Sequence, residues 1–157
     1  MQTFQIDLFT ANIAEVEISY KNKVRPADRP KLDNSNDCAD IFRRIWTDTL
    51  EHHESFYSLM LDRANKVLGV YRVSEGGTTG TIADPKMIFQ AALKCNAAAL
   101  ILAHNHPSGN LIPSVSDVKL TEKMKAAGVL LDIPVLDHVI LGIDDKYYSF
   151  ADNGNVF

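Results

Sequence analysis

Cysteine is scarce in this chain. Only Cys38 and Cys95 occur, far apart and outside any C-x-x-C pair, which argues against a structural thiolate zinc site. Both fall on apolar positions of expected helices and read as core residues, since a free cysteine packs as a small hydrophobe. Long hydrophobic runs are missing too. None approaches the ~20 residues that span a membrane, and the opening MQTFQIDLFT has neither the basic nor the apolar region of a secretion signal. The expectation is a cytoplasmic protein. Positive charge is also in short supply. At a net −4 the chain lacks the broad basic footprint of a dedicated nucleic-acid binder. One local exception is KNKVRPADRPK, 21–31, where Lys21, Lys23, Arg25, Arg29 and Lys31 face a single Asp28. Such a run reads as a solvated connection, with nucleic-acid binding as its alternative. Neither glycine motif for phosphate binding, G-x-G-x-x-G or G-x-x-x-x-G-K-[ST], occurs. SEGGTTGT, 74–81, therefore reads as a flexible turn. No internal repeat or low-complexity tract is present.

What remains is an ordinary globular composition, 46% hydrophobic and 23% charged, with enough length for one self-sufficient core. EVEISY, 15–20, alternates as a strand. The segment to Asn34, with two prolines, is an extended connection, so residues 1–34 form an N-terminal strand and basic linker ahead of a domain over 35–157. Cys38, Ile41, Phe42, Ile45, Trp46 and Thr49/Leu50 follow helical spacing behind the capping run NSND. SFYSLMLD (55–62) and VLGVYRVS (67–74) are strands joined by RANK as a hairpin. Asp84-Pro85 caps and opens a second helix. The apolar AAALILA (97–103) is a buried strand, DVKLTEKMKAAG a helix closed by Gly128, and IPVLDHVILG (133–142) another buried strand. KYYSF (146–150) pairs behind it across Asp144-Asp145. This order implies an α/β fold, a mixed β-sheet with flanking helices.

The chemistry gathers in HNHPSGNLIPSVSD, 104–117. On an extended chain His104 and His106 point the same way and offer two neutral nitrogens at the end of a buried strand. A hydrolytic zinc site needs a third protein ligand and an open position for water. Asp117 is the natural third ligand, if Pro107, Gly109 and Pro113 fold the loop back. A carboxylate base is also needed, and Glu54, Glu51 and Glu75 all qualify by proximity to the first hairpin. Ser114 has two readings. It is the cap of the next helix in a Ser-x-x-Asp box, or a hydroxyl donor to an oxyanion. His52 and His53 read as surface residues. The contiguous letters HNH do not make this an HNH nuclease, whose name comes from residues dispersed over a different unit.

His104-x-His106, seven residues, Ser114, two residues and Asp117 make the H-x-H-x7-S-x2-D pattern of the JAMM (MPN+) metalloproteases. Within that superfamily HNHPSG, PS-x-x-D and LDH resemble the bacterial RadC family, from about Glu54 to Phe150. The resemblance implies a JAB/MPN three-layer sandwich of cytidine-deaminase-like type. It implies His104, His106 and Asp117 as ligands of Zn2+, Ser114 as oxyanion donor and Glu54 as catalytic base. The implied activity is zinc-dependent hydrolysis of a peptide or isopeptide-linked protein substrate by a metal-bound water. Asn105 stands where many JAMM proteases have Ser or Thr, which leaves room for different substrate contacts. Asp137-His138 belongs to the RadC pattern and has two readings, an ordinary end of a strand or a pair supporting the ligands. Many RadC proteins carry an N-terminal helix-hairpin-helix region; residues 1–33 are too short and strand-like to form one. The competing functions are a DNA-associated repair or mobile-element accessory protein, reading DNA through 21–31, and a non-catalytic scaffold.

Overall fold

The computed structural model describes residues 16, 19–46, 49–76 and 83–157. Half of the expected first strand (residues 15, 17 and 18) and the greater part of the glycine-rich segment 74–81 lie outside these. Among the described residues three helices and five strands follow a short 3-10 helix, Pro26–Asp28. They are α1 (Ser35–Ile45), β1 (Ser55–Leu61), β2 (Val67–Glu75), α2 (Pro85–Lys94), β3 (Ala99–Asn105), α3 (Val115–Leu130), β4 (Val135–Leu141) and β5 (Tyr147–Ser149). None of the helices is long and apolar enough to cross a membrane.

The strands form one sheet in the order β2-β1-β3-β4-β5. Only β3 and β4 run parallel, because the intervening α3 carries the chain back across one face. The sheet centre is covered on both sides, and every residue of β1 and β3 is buried. Alternate side chains then divide between two cores. On one face Phe42, Cys38 and Ala39 of α1 pack on Tyr57, Leu59, Ile101, Ala103 and Val139. On the other, Ile88 and Phe89 of α2 and Met124 of α3 pack on Phe56, Met60, Leu100 and Leu102. The result is a three-layer α/β sandwich with a mixed sheet, as the JAB/MPN resemblance implies. Cys38 is a core residue, and burial, aided by Asp137 and Asp37, pushes its thiol up to about 12.

Local chemistry accounts for most boundaries. Asn34 and Asp84 cap α1 and α2 by accepting from the backbone of Asp37 and Lys86. The β4–β5 turn passes through Asp144 and Asp145, both at positive φ, a conformation that short polar side chains tolerate. Two expected helix ends move. Helix α1 stops at Ile45, and Trp46 is already extended, so the stripe does not continue through Leu50. The Leu50 carbonyl is instead taken by the Asn105 side chain. Helix α3 runs past Gly128 to Leu130. Gly128 serves close approach: a Cβ there would lie 2.5 Å from the Ile133 carbonyl oxygen. Strand β3 also reaches Asn105, so the HNH residues begin inside the sheet.

Candidate metal centre

The end of β3 sends neighbouring residues to opposite faces. His104 continues the row of Leu100 and Leu102 toward α3, opposite Phe56 of β1, whose ring stacks on it at 5.9 Å. His106 follows just past the strand. The chain then turns through Gly109, whose φ is +73° and whose N–H donates to the His106 carbonyl. Ser114 caps α3. Its Oγ accepts from the Asp117 N–H at 3.1 Å, and the Asp117 carboxylate accepts from the Ser114 N–H at 2.7 Å, a complete capping box. Capping and a role in the cluster are therefore compatible. The cap uses a lone pair of Ser114, and its O–H remains available as a donor.

The loop brings three donors together. His104 Nε2 and His106 Nε2 are 2.9 Å apart, and Asp117 oxygens lie 3.3 Å and 3.4 Å from them. A tetrahedral zinc with bonds of ~2.0–2.1 Å holds its donors ~3.3 Å apart, so the group fits such an ion with a slight spreading of the imidazoles. The nitrogens also suit a metal chemically. His106 Nδ1 lies 2.6 Å from the Asn110 carbonyl and must donate to it, which leaves a lone pair on Nε2 in the neutral ring. Among the described residues His104, His106 and Asp117 form a group able to hold a metal ion.

The electrostatics follow the same geometry. Burial opposes charge on Asp117, but hydrogen bonds with His104 and His106, the His104 charge and Ser114 outweigh it and hold the carboxyl well below its usual range. Burial pulls His106 down, yet Asp117, the Asn110 carbonyl and the Glu54 charge together raise it.

A cleft of about 400 Å³ opens beside His106, lined also by Glu54, Ser114, Ser108, Ile112, His52 and His53. Of the three glutamates, Glu54 is the one in this cleft. Glu51 lines a different hollow with Arg43 and Trp46, and Glu75 is held by Arg72 at 2.6 Å and His53 at 2.8 Å. His52 is exposed, as expected, and stands at the cleft wall, while His53 is half-buried there and not the plain surface residue expected.

Asn105 does not face substrate. It is fully buried on the α1 side of the sheet. Its Oδ1 accepts from Ser55 N at 2.8 Å, and its Nδ2 donates to the carbonyls of Leu50 and His53 at 2.7 and 2.9 Å. The residue between the two histidines therefore pins the turn that carries Glu54. Asp137 and His138 also part company. The Asp137 carboxylate faces away and accepts from Ser149 and the backbone of Ala151 and His138. Only the His138 ring meets His104. Thr121, absent from the sequence reading, lies beside it; its spacing of four from Asp117 on a helix was the available signal.

A profile of the RadC-like JAB domain matches residues 32–155. The chain belongs to that family. Relatives of this RadC-like domain include a UPF0758 protein of Flavobacterium johnsoniae, 44% identical over 124 residues, covering 79% of this chain and 53% of the relative. A UPF0758 protein of Thermosynechococcus vestitus is 40% identical over 139 residues, 87% of this chain and 54% of the relative. One from Porphyromonas gingivalis is 35% identical over 145 residues, 90% and 62% respectively. The RadC-like chain thus spans a little over half the length of these curated relatives. The basic segment 21–31 precedes most of the matched region. Its Arg25, Lys31 and Arg29 are each beside a carboxylate, of Asp28, Asp33 and Asp62.

Proposed function

We propose that this RadC-like domain is a zinc-dependent hydrolase of peptide or isopeptide bonds. The reading is carried by one observation: two imidazole nitrogens and a carboxylate converge at a cleft that also holds a glutamate and a capped serine. Zinc held by His104, His106 and Asp117 would lower the pKa of a water and polarise the scissile carbonyl. Glu54 takes the proton of the attacking water and passes it to the departing amine, the work of a carboxylate base beside a reacting centre. The Ser114 hydroxyl, with its lone pair committed to the helix cap, directs its proton at the oxyanion. Asn105 holds the Glu54 turn beside the histidines, so the base and the two imidazoles sit at one end of the sheet. The cleft, walled by His52, His53 and Ile112, would receive the peptide or isopeptide-linked substrate.

The test is a screen of peptide and isopeptide-linked substrates with zinc-loaded protein, its chelated form and Glu54→Gln. Turnover should vanish on chelation and in the variant, while the variant keeps its metal and its fold. Turnover surviving both changes would overturn the proposal.

A further inference from the structure

Two polar side chains beside the cluster, Thr121 and His138, take no part in holding the metal or activating water. Both are fully buried. The His138 ring is clamped between Phe150, stacked at 5.0 Å and 8°, and Phe56 at 5.4 Å, so it has no room to turn. Its Nε2 lies 2.8 Å from His104 Nδ1, and its Nδ1 lies 2.6 Å from Thr121 Oγ1. Thr121 Oγ1 in turn lies 2.6 Å from the Asp117 carbonyl. A continuous row therefore runs from the backbone of one ligand, Asp117, to the ring of another, His104.

A row of single protons has two arrangements. In one, Thr121 donates to the Asp117 carbonyl and accepts from His138 Nδ1–H. His138 Nε2 is then an acceptor, His104 Nδ1 donates to it, and His104 Nε2 is a bare lone pair. In the other, Thr121 donates to His138 Nδ1, His138 Nε2–H donates to His104 Nδ1, and His104 Nε2 carries the proton. Only the first can bind a metal through the nitrogen that faces His106 and Asp117. It requires an oxygen at position 121 able to accept from His138 while discharging its own proton to a carbonyl.

We propose that Thr121 and His138 are positioning residues whose hydrogen-bond row sets His104 in its metal-binding tautomer. The inference rests on the metal-centre reading above. A ring nitrogen fixed by an outer hydrogen bond is a general feature of histidine ligands; what is particular here is that the row returns to Asp117. Valine at 121 keeps the shape but cannot accept, so in the metal-bound state His138 Nδ1–H would be buried without a partner.

The experiment measures zinc affinity by competition with a chromophoric chelator for wild type, Thr121→Val and Thr121→Ser. Thr121→Val should weaken zinc roughly 10–100-fold, the range for outer-sphere ligand partners, and Thr121→Ser should restore it to within a few-fold. A part in packing alone would lower the melting temperature of Thr121→Val without moving its zinc affinity. Affinity in Thr121→Val within about twofold of wild type, well short of that range, overturns the inference and leaves the metal centre standing. Failure of wild type to bind zinc overturns both. Imidazole nitrogen NMR on zinc-loaded wild type decides independently of any variant's folding. Protons on Nδ1 of both His104 and His138 support the row, and a proton on His138 Nε2 refutes it.

Discussion

Replacing Asn105 should unfasten the turn that carries Glu54. Asn105→Ala removes three hydrogen bonds, to Ser55 N, Leu50 O and His53 O. Each contributes ~0.5–1.5 kcal/mol net, and the buried Ser55 N–H is left without its acceptor. The expected loss is about 3 kcal/mol, which for a domain of this size lowers the melting temperature by roughly 6–12 °C. Asn105→Asp is the sharper variant because it keeps the shape and the acceptor for Ser55. It loses both donors and sets a buried carboxylate against two carbonyl oxygens. At neutral pH it should cost at least as much as alanine, and part of the loss should return when acid protonates the new carboxyl. Urea unfolding gives the energies, and amide exchange at Ser55 reports the turn directly. An Asn105→Asp protein within ~1 kcal/mol of wild type, inside the net worth of a single hydrogen bond, would refute the reasoning.

Three further outcomes follow from the same geometry. Metal-free protein should lose stability as pH rises above about 6.5. The folded state holds the His106 proton more tightly than the unfolded chain, so that contribution is full below the unfolded value and fades as pH passes the raised folded one; urea unfolding in chelator across this range reads it. Gly128→Ala should destabilise by about 2 kcal/mol although alanine favours helices by up to ~1 kcal/mol. The added Cβ would meet the Ile133 carbonyl, and the melting temperature checks it. Asp117→Asn should release zinc on dialysis and also cost the metal-free protein more than the ~1 kcal/mol of a helix cap, because the amide oxygen still accepts from the Ser114 N–H but the charge beside His104 and His106 is gone; urea unfolding in chelator reads the difference.

The sheet and helices were legible because hydrophobic period and capping residues act locally. β1 and β3 read as apolar runs, and Asn34, Asp84 and Ser114 announced three helix starts. The ends were less legible, for tertiary reasons. Leu50 fits the α1 stripe, but its carbonyl is claimed by Asn105 from another strand. Gly128 looks like a stop signal and is instead a contact point for Ile133. In the loop 104–117 the spacing pointed to His104, His106 and Asp117, which the structure brings together, and the Ser-x-x-Asp spacing announced the capping box that Ser114 closes. The residues alone left Glu54, Glu51 and Glu75 open and the family resemblance favoured Glu54; the structure puts Glu54 in the cleft beside His106. Thr121 offered only its helical spacing from Asp117, and the cleft-facing His53 no pattern at all; the His138 beside Thr121 and the Glu75 beside His53 come from other elements.

Everything proposed for the cleft depends on a metal held by His104, His106 and Asp117. Metal analysis of protein purified without added metal, set beside His106→Ala handled identically, tests it most directly. Wild type should carry about one zinc per chain and a folded His106→Ala essentially none. Wild type without metal, or a variant that keeps its full complement, would contradict it.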